Sequence, residues 1–264
     1  EDVRVLVRDG DKAAKAFESL HGVEIVAGAF DDEAVLSKAF DGVDVAFLAL
    51  GSSPDQVRLE DTVIDGAVRA ELPHLVKLSS TATRHDSALF VGRLHAEIQD
   101  HLVASGLSYT LLYPVSYANN LFYGARSVAA EHKWISAAPT GRVAYIDIRD
   151  LSEAAAVVLR DPALHGKTYD LSGPGAYTAP EIAQLLSGIL GHEVTYVYAS
   201  PAERRAAMLA RGISEWFAEL LLTLETSAEA GQLDTVSTTL VEVLGRAPRT
   251  VEKFLTENAA RFRS

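Results

Sequence analysis

The stretch Val43-Asp44-Val45-Ala46-Phe47-Leu48-Ala49-Leu50 decides the fold. It is a nearly unbroken apolar run, too short for a helix, and it reads as a strand buried in a parallel sheet. Outward from it, the same alternation repeats in both directions. Toward the N-terminus, Val3-Arg4-Val5-Leu6-Val7 is a short β-branched run. A helix pattern follows over residues 12–20, then a strand at Val23-Glu24-Ile25-Val26, then a helix over Glu33–Phe40 with Asp31 or Asp32 at its N-cap. Toward the C-terminus come a helix over 56–70, the strand His74-Leu75-Val76-Lys77-Leu78-Ser79, and a helix over 89–104 that Gly106 ends as a C′ glycine. A strand over 107–113 then stops at Pro114. Strands alternating with helices of roughly 10–15 residues imply βαβ units, whose crossovers are right-handed. The predicted class is α/β, a doubly wound parallel sheet.

Past Pro114 the pattern changes. Gly141-Arg142-Val143-Ala144-Tyr145-Ile146 reads as a strand, and a helix is expected from Asp150, with Glu153 completing a capping box. A short strand covers 167–171. Thr178 and Glu181 form a second capping box ahead of a helix that ends at Gly191, and a strand spans 194–198. Ser200-Pro201-Ala202-Glu203 supplies an N-cap, a proline at the first helical position and an N3 glutamate. Beyond this the pattern is almost all helical, closing with an amphipathic helix over 250–263 that carries Val251, Phe254, Leu255 and Phe262 on one side.

Composition narrows the function. The chain has 264 residues, 48% of them apolar, enough for one large α/β unit or a domain with a substantial appendage. It holds no cysteine, which removes disulfides, thiolate metal sites, iron–sulfur clusters and cysteine nucleophiles. A net charge of −12, from 36 acidic and 24 basic residues, repels phosphate backbones, so nucleic-acid binding is not expected. Charge interrupts every apolar run well short of the roughly 18 residues a membrane span needs, and Glu1-Asp2-Val3-Arg4 is no signal peptide. The chain reads as soluble and cytoplasmic, a monomer or homodimer. The absence of H-E-x-x-H, G-x-S-x-G and Walker A patterns argues against a metal site, an α/β-hydrolase and a nucleotide hydrolase.

Several blocks together resemble a known family. They are Val5-Leu6-Val7-Arg8-Asp9, Ala27-Gly28-Ala29-Phe30-Asp31-Asp32, Ser105-Gly106-Leu107-Ser108-Tyr109-Thr110-Leu111-Leu112-Tyr113-Pro114, Asn119-Asn120, Gly141 through Asp150, and Tyr169-Asp170-Leu171-Ser172-Gly173-Pro174. In order and spacing they resemble the NmrA-like atypical short-chain dehydrogenase/reductases, which include NADPH-dependent quinone reductases and non-catalytic redox sensors. The resemblance covers essentially the whole chain. It implies a Rossmann-like core made of residues 1–114 with roughly 141–172, and a smaller, mainly helical substrate and cap region made of 115–140 and 173–264. The family's first strand, glycine-rich turn and helix have no counterpart here: no G-x-G-x-x-G or G-x-x-G-x-x-G occurs. That strand normally lies between the strands at Val3–Val7 and 43–50, so a slot with two unpaired edges is expected, without the N–H cradle for a pyrophosphate. The chain is accordingly expected to be a piece of one about 30 residues longer. If it is complete, poor dinucleotide affinity is expected.

The resemblance also implies site residues. Arg8, after the first strand, would face the adenosine ribose, where arginine pairs with a 2′-phosphate and so favours NADP(H) over NAD(H). Asp31 resembles an aspartate near the adenine, and an N-cap role explains it nearly as well. Leu48, Ala49, Leu50 and Gly51 would form a flat wall beyond a strand end, although core packing also selects such residues. Ser79 would bond the nicotinamide ribose or carboxamide, or else cap its turn. The partner Tyr-x-x-x-Lys of ordinary short-chain reductases is absent. His95 sits where relatives place a lysine or histidine near the nicotinamide and would donate a proton, unless it is an ordinary helix histidine. Tyr113-Pro114 replaces the usual Arg-Pro, leaving tyrosine to stack or donate. Tyr117 and Asn120 would touch substrate, Tyr117 also serving as a proton donor, or would make turn and cap contacts. The function implied is hydride transfer from NADPH to a small quinone-like or carbonyl acceptor. The rival readings are a binding protein that senses the NADPH/NADP⁺ ratio without turnover, and an isomerase or epimerase of the extended short-chain type.

Overall fold

The computed structural model describes residues 2–263. In chain order the elements are β1 (Val3–Val7), α1 (Gly10–Phe17), β2 (Val23–Ala27), α2 (Glu33–Phe40), β3 (Val45–Leu48), α3 (Gln56–Arg69), β4 (His74–Leu78), α4 (Phe90–Ala104), β5 (Tyr109–Pro114), β6 (Ser116–Tyr117), α5 (Ala125–Glu131), β7 (Lys133–Ser136), β8 (Tyr145–Ile146), α6 (Ile148–Arg160), β9 (Thr168–Leu171), α7 (Ala179–Leu190), β10 (Thr195–Tyr198), α8 (Pro201–Ala210), α9 (Glu215–Glu229), α10 (Thr239–Leu244) and α11 (Val251–Glu257).

Strands β3, β4, β5 and β9 pair in that order, all parallel. Successive side chains of a strand point to opposite faces, and both faces here are apolar. Leu75 and Leu111 pack into a layer with Leu36 of α2, Ile64 of α3 and Ile98 and Leu102 of α4. Their neighbours Val76 and Leu112 pack the other way, against Leu151, Ala154 and Val158 of α6. The result is a sheet with helices on both faces, as the alternating pattern predicted.

The sheet is divided. Strands β1 and β2 form their own parallel ribbon and make no ladder with β3, so β1 and β3 each keep one unpaired edge among the described residues. Helix α2 spans the division. Leu6 of β1 joins the core that holds Leu36 and, beyond it, Ala46 of β3. Arg4 ties β1 to the end of α2 by donating to the carbonyls of Lys38 at 3.1 Å and Asp41 at 2.6 Å. No described helix is long and apolar enough to cross a membrane.

Other differences from expectation have local causes. The 43–50 run contributes only Val45–Leu48 to a strand, because the Val43 amide closes the turn after α2 on the Phe40 carbonyl at 3.1 Å. Helix α6 begins earlier than expected. Asp147, not Asp150, is its cap and accepts from the Arg149 amide. Asp150 is buried instead and is paired with Arg246 and Arg249, which fasten the segment between α10 and α11 onto α6. The boxes at Thr178–Glu181 and Ser200–Glu203 both form. Of the 141–146 run only Tyr145 and Ile146 make a strand, paired with β6, and Val143 bridges to Tyr177. The strand expected over 194–198 forms as β10, and it pairs in parallel with β7, which the sequence pattern had not shown. Its last helix breaks after Glu257, but Val251, Phe254, Leu255 and Phe262 are all buried as the amphipathic pattern requires.

One core feature is polar. Lys77 of β4 and Glu60 of α3 are both fully buried and form an ion pair, and Gln56 Nε2 donates to the other Glu60 oxygen at 2.9 Å. Lys77 Nζ also reaches the Leu78 carbonyl at 3.1 Å. Removing one member of such a pair strands a charge in a medium that cannot solvate it. Lys77→Met is therefore expected to cost about 3–5 kcal/mol, whereas Lys77→Met with Glu60→Leu should fall near wild type. Urea unfolding of the three proteins checks this, and a single variant as stable as the double would refute it.

Candidate active site

Ligands of open parallel sheets gather beyond the carboxyl ends of the strands, and a cavity of about 280 Å³ lies there. Its walls come from six places, one of them the loop after β3, which contributes Ser52. Ser79 and Ser80 follow β4, Pro114 and Val115 end β5, and Leu89, Val91 and His95 belong to the start of α4. Tyr117, Asn120 and Tyr123 come from the segment after β5, and Phe217, Leu220 and Leu224 come from α9.

The strand ends are held by backbone bonds. The Ser79 amide donates to the Leu112 carbonyl at 2.8 Å, Thr81 to Pro114 at 3.0 Å, and Val115 to Leu171 at 3.1 Å. The loop between β4 and α4 doubles back against the helix. A Cβ at Gly92 would lie 2.5 Å from the Ala82 carbonyl oxygen and 2.7 Å from Ser87 Oγ, so only glycine allows this approach. Ala82 itself sits at φ 57°, a left-handed conformation that costs a non-glycine residue about 1 kcal/mol or more. That packing brings the first turns of α4, and so His95, onto the same cavity as Ser79.

Two of its polar groups have unusual chemistry. Burial, reinforced by the nearby Lys77 ammonium, pushes the His95 imidazole down to about 3. His95 is thus neutral at ordinary pH, and its Nδ1 is buried without a hydrogen-bond partner. This corrects the expectation of a histidine acid poised near neutrality: the imidazole offers an N–H or a lone pair, not an imidazolium proton. Burial pushes the Tyr117 phenol up to about 12. Tyr117 therefore keeps its proton, and its hydroxyl, which bonds to no described residue, is free to donate. Asn120 Nδ2 donates to Ser116 Oγ at 3.1 Å, and Ser79 Oγ lies 3.2 Å from Thr83 Oγ1.

Ser79, His95, Pro114, Tyr117 and Asn120 thus line one cavity. The other expected residues lie apart from it. The Tyr113 hydroxyl donates to Gln99 of α4, and its ring packs with the α2–α3–α4 layer, because alternation along β5 turns it away from Pro114. Arg8 is exposed at the end of β1 with no hydrogen-bond or ion-pair partner among the described residues, while Asp9 beside it caps α1. Asp31 is not the N-cap of α2; Asp32 is. Asp31 instead pairs with Arg58 of α3 at 2.8 Å, which holds its carboxyl below the usual carboxylate range. Leu48 is buried in the core, and Ala49, Leu50 and Gly51 leave β3 as a loop. Among the described residues, no cluster of three histidine or carboxylate side chains is arranged to hold a metal.

A larger cavity of about 660 Å³ adjoins the first, sharing Ser116, Asn120, Tyr123 and Leu224 with it. Helix α9 covers both. Two carboxylates fix it in place: Glu229 accepts from the amides of Thr140 at 2.8 Å and Gly141 at 2.7 Å, and Glu225 accepts from Ala137 at 2.7 Å. Gly141 lies so close to α9 that a Cβ there would come within 2.5 Å of the Ala228 carbonyl carbon. These α9 residues escaped the sequence reading, which had only a generally helical pattern for that region.

The chain is similar over nearly its whole length to known proteins. An NAD(P)H azoreductase of Xenophilus azovorans is 30% identical over 259 residues, covering 98% of this chain and 90% of that protein. Quinone oxidoreductase 2 of Escherichia coli strain K12 is 28% identical over 246 residues, covering 93% of this chain and 85% of that one. The crystal structure of an NADPH-dependent quinone oxidoreductase from Escherichia coli, complexed with NADPH, superposes with a TM-score of 0.90 at 28% identity, covering 97% of this chain and 90% of that one. The model of the NmrA-like family matches residues 1–255, and the chain belongs to that family.

Proposed function

We propose that the protein is an NAD(P)H-dependent oxidoreductase that reduces a small quinone-like or carbonyl acceptor, with NADP(H) preferred. The observation that carries this reading is the cavity beyond β4 and β5, where Ser79, neutral His95, the unpartnered Tyr117 hydroxyl and Asn120 converge. When bound, the reduced dinucleotide supplies hydride to the acceptor. The residues present fit its nicotinamide end. His95 Nδ1 is an orphaned buried polar atom, and Ser79 Oγ stands across the same cavity. Arg8, exposed and unpaired, suits a ribose 2′-phosphate. In this reading residues 1–114 with 141–172 hold the dinucleotide, residues 115–140 with 173–264 close over the acceptor, and the enzyme works in the cytoplasm.

The chain's own part is positioning and one proton. The apolar walls from Leu89, Val115, Phe217 and Leu220 exclude water from the acceptor. Tyr117 donates its phenolic proton to the acceptor oxygen as negative charge develops there. His95, held neutral, accepts or donates one hydrogen bond without changing the charge of the site. The redox-sensor reading rests on the absent Tyr-x-x-x-Lys pair and on Tyr113 in place of the usual arginine; in the reductase reading Tyr117 supplies the donor that the pair would have given.

Steady-state NADPH oxidation with a panel of quinones and aldehydes tests the reading; ratio-dependent coenzyme binding without turnover would favour the sensor instead. Tyr117→Phe should lower kcat about a hundredfold for a carbonyl acceptor, and much less for a quinone, whose reduced oxygens need little acid assistance. The pH profile has a definite form. His95 would charge only as pH falls toward about 3, and Tyr117 would lose its proton only as pH rises toward about 12. Hence kcat/KM should be flat between about pH 5 and pH 9, and a limb near the ordinary histidine value, lost in His95→Asn, would contradict the neutral-imidazole assignment. Arg8→Ala should raise KM for NADPH about tenfold and leave NADH nearly unaffected. An equal change for both coenzymes would remove Arg8 from the 2′-phosphate.

A further inference from the structure

We propose that the larger cavity beneath α9 is the distal half of the acceptor site, and that it selects aromatic acceptors bearing an anionic substituent such as a sulfonate, carboxylate or phosphate. The inference rests on the oxidoreductase reading for the identity of the reaction, but its own observations are separate. The cavity of about 660 Å³ adjoins the smaller one at Ser116, Asn120, Tyr123 and Leu224, which line both, so an elongated molecule passing these side chains would occupy both. At about 660 Å³ it is large enough for a fused ring system. Its inner wall is apolar and aromatic, built from Leu121, Trp134, Val143 and Tyr145. Such walls hold a planar ring by stacking and exclude water around it.

Three arginines and three carboxylates line the cavity, and they differ in which of them are already engaged. Arg126 and Arg211 line the cavity, are exposed, and have no hydrogen-bond or ion-pair partner among the described residues. The remaining arginine, Arg204, is neutralised by Glu225 at 2.8 Å. The other carboxylates of the cavity are also engaged. Glu203 caps α8 by accepting from the Ser200 amide at 2.8 Å, and Glu131 pairs with Lys133 at 3.0 Å. Two uncommitted guanidinium groups therefore stand over an aromatic pocket in a chain of net charge −12. Guanidinium groups recognise the fork of oxygens on a carboxylate, sulfonate or phosphate. A neutral acceptor would fill the same walls and leave that recognition unused.

The test compares 1,2-naphthoquinone with 1,2-naphthoquinone-4-sulfonate as acceptors for NADPH oxidation by the wild type, Arg126→Gln, Arg211→Gln and the double variant. The wild type should show a KM for the sulfonate about tenfold below that of the parent quinone, and the double variant should abolish that ratio. The preference should shrink as ionic strength rises, since the arginines are exposed. Arg→Lys replacements should restore part of it. Quenching of Trp134 fluorescence by naphthalene-1-sulfonate against naphthalene, with no coenzyme present, reads the same selectivity without turnover; the signal should vanish in Trp134→Phe. Arginine-dependent quenching without turnover of either quinone would uphold the anion site and refute the reductase reading. No sulfonate preference in either assay, or one that survives the double variant, would overturn the inference.

Discussion

The buried ion pair between Lys77 and Glu60 is the constraint on which the site depends. A lysine in the middle of a sheet must either reach solvent or find a counter-charge, and here it has no route outward. Glu60 meets it from α3, and Gln56 occupies the second carboxylate oxygen. Desolvation pushes the Lys77 ammonium down while Glu60 pulls against that shift. The pair therefore fixes α3 against β4 at one rotational setting, where apolar packing alone would tolerate several. Specificity of register is the best-attested use of such pairs, whose net contribution to stability is small.

The same charge acts upward on the site. Lys77 stands two residues before Ser79 on β4, close enough to His95 to disfavour its protonation. A histidine surrounded by apolar groups would already be depressed, and the ammonium removes what tendency remained. The consequence is a cavity in which His95 and Tyr117 are both polar but uncharged across the working range. Neutral donors suit an acceptor on which charge appears only during reaction, because they stabilise it without having to be stripped of counter-ions first. A charged histidine would instead bind anions in the ground state, in the place where the proposed reading puts the acceptor's reacting oxygens.

Much of this was legible in the sequence, for physical reasons that differ by residue. The strands at Val3–Val7 and His74–Leu78 were readable because short runs rich in β-branched and apolar residues fall between helix patterns, and α7 and α8 because Thr178–Glu181 and Ser200–Glu203 are capping boxes whose chemistry is local. Ser79, Pro114, Tyr117 and Asn120 were assigned to a site through the family resemblance, and the structure brings them to one cavity. What escaped depended on distant partners. Asp150 looked like a cap until Arg246 and Arg249, nearly a hundred residues on, claimed it. Asp31 looked like a cap or an adenine contact until Arg58 took it. Tyr113 next to Pro114 pointed the wrong way by the period of two that governs any strand. Lys77 was itself a visible anomaly in a buried run, and such a lysine demands a partner even when its identity cannot be read.

The division of the sheet gives the remaining step. Strands β1 and β3 face each other across helix α2 without a ladder, and their apolar side chains share the α2 core rather than pairing through backbone. Unpaired edges of inner strands are costly unless something satisfies their N–H and C=O groups. Here the α2 contacts and the Arg4 bonds to the Lys38 and Asp41 carbonyls hold the ribbon in place without using those edges. The cavity proposed for the nicotinamide is lined from the ends of β4 and β5, which belong to the continuous four-stranded ribbon. Arg8 belongs to the other ribbon. In the proposed reading, a substitution that loosens β1 would act first on the contact proposed for Arg8, while the cavity walls contributed by the ends of β4 and β5 would stay in place.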